Sequence, residues 1–295
     1  MPMNSELPSL PAVLLGIDLE PLPFTDPDRP QSWTDLCLLT RRLLVFLQER
    51  RWRATFFIVG EVVARCPELL EEIRQAGHEM ACHTHSHRRL KQYAQDDFKR
   101  DLESNLEAVR SVAGEDVTGF RAPFFSLTER TAWVYEILAS FGIRYSSSVS
   151  EFRDFQSDWS LRAIEVAKRH GIVELPIATL AIGPVAVPLG GLYWRCCPES
   201  LLVEQMGRIA TRDRYASTFF HAHDFHCVES TYVGAGTLLR NPLFGPLMLL
   251  GRRSVETKLA RVASMGFRFR SFQGYLDEER LRAQPAPVLA GIARY

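Results

Sequence analysis

The feature that most constrains the fold is a regular alternation of short apolar runs with longer stretches of helical periodicity. Such alternation predicts a parallel sheet covered by helices, because parallel neighbours must be joined by a helix-length crossover. About eight strand candidates can be counted, enough for the sheet to close into a barrel. The candidates are residues 12–17, 54–59, 78–82, 118–122, 143–147, 172–177, 217–221 and 267–272.

Helical patterns fill most of the intervals between these runs. Two of them are followed by a glycine, Gly77 and Gly142, and glycine is a common residue just after a helix end. The segments 148–168, 182–198 and 225–250 fit neither pattern, so we expect loops there, decorating one end of the barrel. Helices are expected at 34–51, 66–76, 94–113, 129–141, 200–209 and 254–265.

Composition fits one such domain and argues against two other classes of protein. The 35 Lys and Arg residues are balanced by 35 Asp and Glu, so no basic excess exists to neutralise nucleic-acid phosphates, and we expect no nucleic-acid partner. The six cysteines form no Cys-x-x-Cys pair, and we expect buried apolar thiols rather than a disulfide framework. A length of 295 residues suits one α/β barrel. We place it at 12–276, between an N-terminal extension (1–11) and a C-terminal tail (277–295).

The sequence carries no recognisable targeting or membrane-spanning segment. Residues 1–6 lack a positive region, and the apolar run 13–17 is too short for a signal peptide. We therefore expect a cytoplasmic protein. The apolar segment 238–253 is flanked by arginines, which indicates either a peripheral membrane contact or a buried interface. The oligomeric state is left open.

Unusual polar residues follow several of the predicted strands. Asp18 and Glu20 come after the first, His83 after the third, Arg121 closes the fourth and His221 ends the seventh. In a barrel of parallel strands these positions converge on the carboxyl-terminal rim, where such folds place their chemistry. Side chains far apart in sequence are thus predicted to be neighbours in space.

The spacing of two histidines points to a metal site. His83 and His87 are four residues apart, and in a helical turn their Cβ atoms would lie ~6 Å apart on one face. Two imidazoles with a carboxylate form a common catalytic ligand set that leaves positions open for water and substrate. Of Asp18 and Glu20, one would ligate the ion and the other would accept a proton.

Taken together, these residues resemble the polysaccharide deacetylase family (NodB homology, carbohydrate esterase family 4-like) over most of 12–276. The resemblance includes a His-(Ser/Thr)-x-x-His signature at His83 and an Arg-x-Pro-(Tyr/Phe) motif at Arg121. The five segments that carry it, in the family's order, are 16–20, 54–57 with 77–79 and 83–87, 119–124, 141–148 and 219–221.

The resemblance implies a distorted (β/α)7 barrel with a divalent metal. Glu20, His83 and His87 would hold the ion, with Zn²⁺ expected and Co²⁺ or Ni²⁺ as alternatives. The middle histidine, His85, would project away from the metal. The chain is similar to an exopolysaccharide-associated subset with an Asp-x-Glu first motif, because Leu19 stands where many members carry the ligand carboxylate.

The resemblance also implies roles for the acid–base residues. Asp18 would be the general base, oriented by Arg121, and His221 the general acid. A backbone N–H near Phe124 would help to bind the oxyanion. An aspartate often stands at the position of Ser146 in the family, so we assign Ser146 no catalytic role.

Four further residues are candidate substrate contacts. Tyr193 and Trp194 follow a glycine pair and offer aromatic faces for stacking on sugar rings, although a core turn is an equally good interpretation. His223 and Asp224 lie on a predicted rim loop beyond His221, where a substrate contact and a solvated loop are equally compatible with the pattern.

The sequence as a whole predicts a metal-dependent deacetylase. Its substrate would be the N-acetyl group of an amino sugar in a poly-, oligo- or lipid-linked saccharide. Three alternatives stay open: a deformylase, another amide hydrolase on the same scaffold, and an inactive barrel that binds carbohydrate. The presence of Asp18, Arg121 and His221 together disfavours the last, because binding alone needs no acid–base set.

Overall fold

A computed structural model describes residues 11–23, 25–26, 28–150, 159–182, 185–212, 214–226 and 245–283. The strands are β1 Ala12–Leu14, β2 Gly16–Leu19, β3 Thr55–Ile58, β4 Glu79–Cys82, β5 Gly119–Phe120, β6 Tyr145–Ser146, β7 Val173–Glu174, β8 Thr179–Ile182, β9 Val185–Pro188, β10 Tyr215–Ser217, β11 Phe220–His221 and β12 Arg268–Arg270. Seven parallel strands form one sheet in the order β11-β2-β3-β4-β5-β6-β7, and β10-β1-β12 form a second parallel sheet beside it.

This arrangement is the predicted α/β fold, a distorted (β/α)7 barrel, and every run predicted as a strand contains one. The first run is two strands rather than one, because the chain changes partners at Leu15. The Leu15 N–H donates to the Arg270 carbonyl of β12, whereas its own carbonyl accepts from the Thr55 N–H of β3. The two sheets are therefore joined into one barrel wall at this residue.

Helices surround the sheet. Helix α1 buries Leu36, Leu39, Leu43 and Phe46, whose three- and four-residue spacing gives one apolar stripe against the sheet. The helices are α1 Pro30–Glu49, α2 Gly60–Arg65, α3 Pro67–Gln75, α4 Gln95–Ala113, α5 Val134–Ser140, α6 Trp159–Arg169, α7 Gly191–Cys196, α8 Glu199–Arg212, α9 Gly245–Leu249, α10 Val255–Ser264 and α11 Phe272–Ala283.

All three segments expected as loops contain regular structure, the third of them helix α9 within 225–250. Helix α6 begins inside 148–168 and ends one residue after it. The segment 182–198 contains strand β9 and helix α7. Strand β9 pairs antiparallel with β8. Helix α7 has only six residues, too few for a periodic pattern to be recognised. Residues 227–244 lie outside the described residues. They include most of the third expected loop and the first part, 238–244, of the arginine-flanked segment.

The amino-terminal end of the barrel is closed by helix α11. Its first residue, Phe272, stacks on Tyr145 with ring centroids 5.7 Å apart and planes 10° apart. Beside them the Glu79 carboxylate accepts hydrogen bonds from the Tyr145 hydroxyl at 2.6 Å, the Thr55 hydroxyl at 2.5 Å and the Gln273 N–H at 3.0 Å. Helix α11 continues past the expected barrel boundary at 276. No helix in the described part of the chain is long and apolar enough to cross a membrane.

Candidate active site

The carboxylates of the first motif lie at the opposite end of the barrel from α11. Alternate residues of a strand face the same side, so Asp18 in β2 and Glu20 just beyond it both reach the cavity at the strand ends. The fully buried Arg121 guanidinium donates from Nη1 to Asp18 Oδ1 at 2.7 Å. Gly16 makes room for this pair, since a Cβ there would lie 2.7 Å from the guanidinium nitrogens. Asp18 is thus held in one orientation.

Arg121 is itself fixed by carbonyl and hydroxyl groups around it. Its Nη2 donates to the Thr218 carbonyl and to the Ser147 hydroxyl, both at 3.2 Å, and its Nε donates to the Ser147 carbonyl at 3.2 Å. The guanidinium carbon lies 4.0 Å from the centroid of the Phe57 ring. A buried ion pair with this many additional partners favours one geometry over any other.

The two signature histidines meet at Glu20. Oε2 of Glu20 lies 2.5 Å from His87 Nε2 and 3.9 Å from His83 Nε2. His83 Nδ1 lies 2.7 Å from the Arg121 carbonyl. Because that carbonyl can only accept, Nδ1 carries the proton, and the Nε2 lone pair is left to face Glu20.

The predicted helical turn between the histidines is wrong. Residues 83–87 form an irregular loop. Thr84 and His87 both adopt positive φ angles, 64° and 49°, which no helix contains. The two imidazole centroids are nevertheless 5.0 Å apart, so the chain reaches the expected proximity by a different backbone path. His85 is exposed, and its ring lies against Gly60, away from Glu20.

Two residues of helix α4 hold this strained loop, and sequence reasoning missed both. The Asp101 carboxylate accepts from the backbone N–H groups of His85 at 2.7 Å and Ser86 at 3.0 Å. The Asn105 amide donates to the Thr84 carbonyl at 2.7 Å. A signal was available, since Asp101 and Asn105 are four residues apart on the face of α4 that is otherwise apolar and buried.

Glu20, His83 and His87 fit a divalent metal ion. Their candidate ligand atoms all lie within 4.8 Å of one another. His87 Nε2 is buried yet makes no hydrogen bond with any described residue, despite its short distance to Glu20. Burial lowers the pKa of His83 to about 4, so its ring is neutral at physiological pH. Burial opposes ionisation of Glu20, but His221, His87 and His83 outweigh it and lower its pKa to about 2. The set therefore offers two imidazoles and one carboxylate, typical ligands for Zn²⁺.

His221 lies beside Asp18, as its register partner at the end of the neighbouring strand β11. Its Nε2 is 3.4 Å from Glu20 Oε1, and its Nδ1 is 3.4 Å from Asp224 Oδ2. Burial would lower the pKa of His221, but the Glu20 and Asp224 carboxylates raise it to about 9. The His223 ring stacks on His221 with centroids 4.9 Å apart. Burial lowers the pKa of His223 to about 3, so that ring stays neutral.

These residues surround one cavity of about 340 Å³. The lining combines polar and titratable side chains with aromatic and proline side chains. The principal lining residues are Asp18, Glu20, His83, His221, His223, Pro23, Phe124, Phe125, Pro188, Tyr193 and Phe219.

The candidate substrate contacts separate into two groups. Tyr193, His223 and Phe124 line the cavity, and Phe124 covers His87 with ring centroids 4.8 Å apart. Trp194 does not, because it is 0% exposed and packs in the core, so its predicted sugar contact is wrong. Asp224 is 1% exposed and contacts His221 rather than the cavity, contrary to the rim contact expected for it.

Two protein-family models match consecutive regions of the chain. Residues 35–146 match the family model described as polysaccharide deacetylase. Residues 146–277 match a second family, described as a domain of unknown function (DUF3473). The first region contains His83, His87 and Arg121, and the second contains His221. Asp18 and Glu20 precede both, so it is the fold that joins three stretches of chain into one site.

The related proteins of known name are deacetylases. A chitooligosaccharide deacetylase of Sinorhizobium fredii is 27% identical over 165 residues, 56% of this chain and 69% of that protein. Chitin deacetylase 1 of Cryptococcus neoformans is 29% identical over 116 residues, 39% of this chain and 23% of that protein. The chain spans 36% of a peptidoglycan-N-acetylglucosamine deacetylase of Bacillus cereus, so several of these relatives are much longer than the region they share.

Structural comparison supports the fold. A crystal structure from Mycobacterium smegmatis, assigned provisionally as a polysaccharide deacetylase, superposes with a TM-score of 0.61. The two chains are 22% identical, and the match covers 95% of this chain and 93% of the other. The two chains therefore share this fold over almost their whole length.

Proposed function

We propose that the protein is a metal-dependent deacetylase that hydrolyses the N-acetyl group of an amino sugar in a poly-, oligo- or lipid-linked saccharide. One observation carries the proposal: Asp18 and His221, register partners on neighbouring strands, line one cavity next to the Glu20, His83 and His87 cluster. A base, an acid and three ligand side chains are what hydrolysis of an unactivated amide needs.

Asp18 is the general base in this proposal. It takes a proton from a water molecule as that water attacks the acyl carbonyl carbon. Its Oδ1 is occupied by Arg121, which fixes the direction from which the proton is accepted and keeps the carboxylate from rotating. When bound by Glu20, His83 and His87, a divalent metal supplies Lewis acidity that polarises the carbonyl and makes the water more acidic.

His221 is the general acid. Its raised pKa, about 9, keeps the ring protonated at neutral pH, so a proton is available when the C–N bond breaks. The amide nitrogen takes that proton and leaves as the amine of the sugar, while the acyl group leaves as acetate. Asp224 accepts from the His221 backbone N–H at 2.8 Å, which ties the acid to its own turn.

The aromatic wall supports a sugar substrate. Tyr193, Phe219 and Phe125 line the cavity beside the charged residues, and aromatic faces stack on the C–H surfaces of sugar rings. The named relatives act on chitin, chitooligosaccharides and peptidoglycan N-acetylglucosamine, all amino-sugar polymers or oligomers. An exopolysaccharide substrate would suit the Asp-x-Glu spacing of Asp18 and Glu20, and a cytoplasmic location is part of the proposal.

The proposal is tested by measuring acetate release. The purified protein is loaded with Zn²⁺ and incubated with chitooligosaccharides, N-acetylated exopolysaccharide fragments and lipid-linked N-acetyl sugars, with formylated analogues as a control for the acyl group. We expect acetate from at least one acetylated substrate. Asp18→Asn should keep the bound metal and lower kcat by about 10²- to 10⁴-fold, because only the base is lost. Metal-loaded protein that releases no acyl group from any substrate would overturn the proposal.

A further inference from the structure

A second buried Arg–Asp pair lies behind the general acid. Arg195 Nε is 3.1 Å from Asp224 Oδ1, an ion-pair contact without hydrogen-bond geometry, and the two side chains are each 1% exposed. Asp224 Oδ2 in turn contacts both the backbone N–H and the ring Nδ1 of His221. The order of contacts is therefore Arg195, Asp224, His221.

Arg195 is anchored independently of the cavity. Its Nη1 donates to the Met248 carbonyl at 3.0 Å. Its own carbonyl accepts from the buried Lys258 ammonium at 2.8 Å. A Cβ at Gly251 would lie 2.4 Å from that carbonyl, so the backbone of the 251 turn packs directly against it. Burying a guanidinium is costly unless it is well paired, and here its carboxylate partner is a group that touches the acid.

From these contacts we propose that Arg195 is a positioning residue for the general acid, acting through Asp224 on the orientation of His221. The inference rests on the proposed function, because it assigns His221 the proton donated to the leaving amine. With Arg195 in place, Asp224 presents one oxygen to Arg195 and the other to His221. Without it, the carboxylate loses the ion pair at Oδ1, and among the described residues only the His221 backbone N–H at Oδ2 is left to hold its orientation toward Nδ1.

A test of leaving groups separates positioning from mere structural support. The amine of a sugar amide must be protonated to leave, whereas 4-nitrophenolate leaves without a proton. We expect Arg195→Lys and Asp224→Asn to lower kcat for an N-acetyl chitooligosaccharide by roughly 10- to 100-fold, a part of the usual contribution of a general acid. Hydrolysis of 4-nitrophenyl acetate by the same Zn²⁺-loaded variants should change by less than about twofold, because their base and metal ligands are intact.

Arg252→Lys is the matched control. Arg252 is also buried and donates to the carbonyl of Phe225, next to Asp224, so it tests whether disturbing this turn is enough. We expect it to leave the ratio of amide to ester turnover unchanged. Equal losses on both substrates for Arg195→Lys, or no loss on either, would overturn the inference. Wild-type protein that hydrolyses the ester and no amide would instead overturn the proposed function.

A separate observation concerns two cysteines on the outside of the barrel. Cys37 in α1 and Cys66 at the junction of α2 and α3 have Sγ atoms 3.4 Å apart, and Cys37 is not fully buried, contrary to the expectation of a buried apolar thiol. Cys37 is partly exposed beside a surface cavity lined also by Arg41 and Trp33. The neighbouring Cys66 thiol lowers the pKa of Cys37 to about 7, which favours the reactive thiolate.

We infer that Cys37 and Cys66 form a thiol–disulfide site that a peroxide can oxidise. The Cys37 thiolate attacks hydrogen peroxide and takes one oxygen to become a sulfenic acid, and the other oxygen leaves as water after protonation. Cys66 then attacks the sulfenic sulfur, forming the S–S bond and releasing a second water molecule. Two thiols are oxidised and one peroxide is reduced, so the step balances.

Mass spectrometry of the full-length protein tests this site. After treatment with hydrogen peroxide we expect a linked pair of peptides containing Cys37 and Cys66, reversal by dithiothreitol, and a rise in Tm of roughly 5 °C while the link is present. Cys37→Ser should abolish the link, and Cys196→Ser, at an exposed cysteine, should not affect it. Oxidation of both thiols to sulfinic acids without a link, or no loss of these thiols, would overturn the inference.

Discussion

Glutamates at the two ends of the barrel have opposite electrostatic surroundings. Glu79, at the amino-terminal end, is surrounded by neutral donors: three hydroxyl groups and a backbone N–H. Glu20, at the carboxyl-terminal end, is surrounded by three imidazoles, those of His83, His87 and His221. Burial dominates at Glu79 and raises its pKa, whereas the imidazoles lower that of Glu20.

The difference lies in how fully each carboxylate is satisfied. Each of these contacts of Glu79 is a short hydrogen bond to a group that belongs to the core, so this end of the barrel is complete without a ligand. At Glu20 the nearest nitrogen, His87 Nε2, lies close without forming a hydrogen bond. Buried polar atoms are rarely left without a hydrogen-bond partner. A cation shared by Glu20, His83 and His87 is the simplest partner for the atoms of this cluster. The Glu79 carboxylate is satisfied by groups of the fold, whereas the Glu20 cluster has the donor set that a metal ion would complete.

The largest expected effect is on Zn²⁺ binding, measured after the same substitution at each of the two glutamates. Glu20→Gln should weaken Zn²⁺ binding by roughly 100-fold or more, because it removes the anionic ligand. Glu79→Gln is the matched control, since it makes the same chemical change at the other end and should bind Zn²⁺ as the wild type does. Metal content after dialysis and titration with a competing chelator measure both. Equal affinities in the two variants would mean that Glu20 is not a ligand.

A smaller effect concerns how the stability of the folded protein depends on pH through Glu79. Burial raises the pKa of Glu79 above its ordinary 4.5 in the folded protein, so the folded state binds this proton more tightly than the unfolded state. The contribution of that proton to stability is full below the ordinary pKa and is lost as pH rises through the raised one. Above the raised pKa, the carboxylate must be charged in a place where burial disfavours charge.

Urea unfolding of the wild type and Glu79→Gln, from below pH 4.5 upward, tests the sign of this pH dependence of stability. The free energy of unfolding of the wild type should fall relative to that of the variant as pH increases, because glutamine cannot lose the proton. Glu136→Gln, at an exposed position of α5, should run parallel to the wild type. A wild-type curve that stays parallel to Glu79→Gln would contradict the account of this end of the barrel.

The fold was predictable because its signal is local and repeated. Apolar runs at the positions of β3 and β4 and helical periodicity at α4 needed no knowledge of the rest of the chain. Polar residues at strand ends could also be expected to converge, since parallel strands end at one rim. These two regularities led from the sequence to Asp18, Glu20, His83, Arg121 and His221 in one cavity or its wall.

What failed depended on contacts distant in sequence or on backbone detail. The loop from His83 to His87 could not be distinguished from a helical turn, because its positive φ angles are stabilised by side chains of α4. Trp194 and Tyr193 are adjacent and aromatic, yet only packing decides which of them faces the cavity. Arg195 carried no motif at all, since its partner Asp224 lies on a different segment.

The support of the histidine loop by α4 has a consequence for how activity is lost in evolution. Asp101 and Asn105 belong to none of the segments that mark the family, and they lie on a helix outside the barrel. A descendant of this chain could retain all five motifs and still lose the proposed metal site through a change at either position. An intact signature is therefore weaker evidence of an active enzyme than an intact signature together with the helix that shapes it.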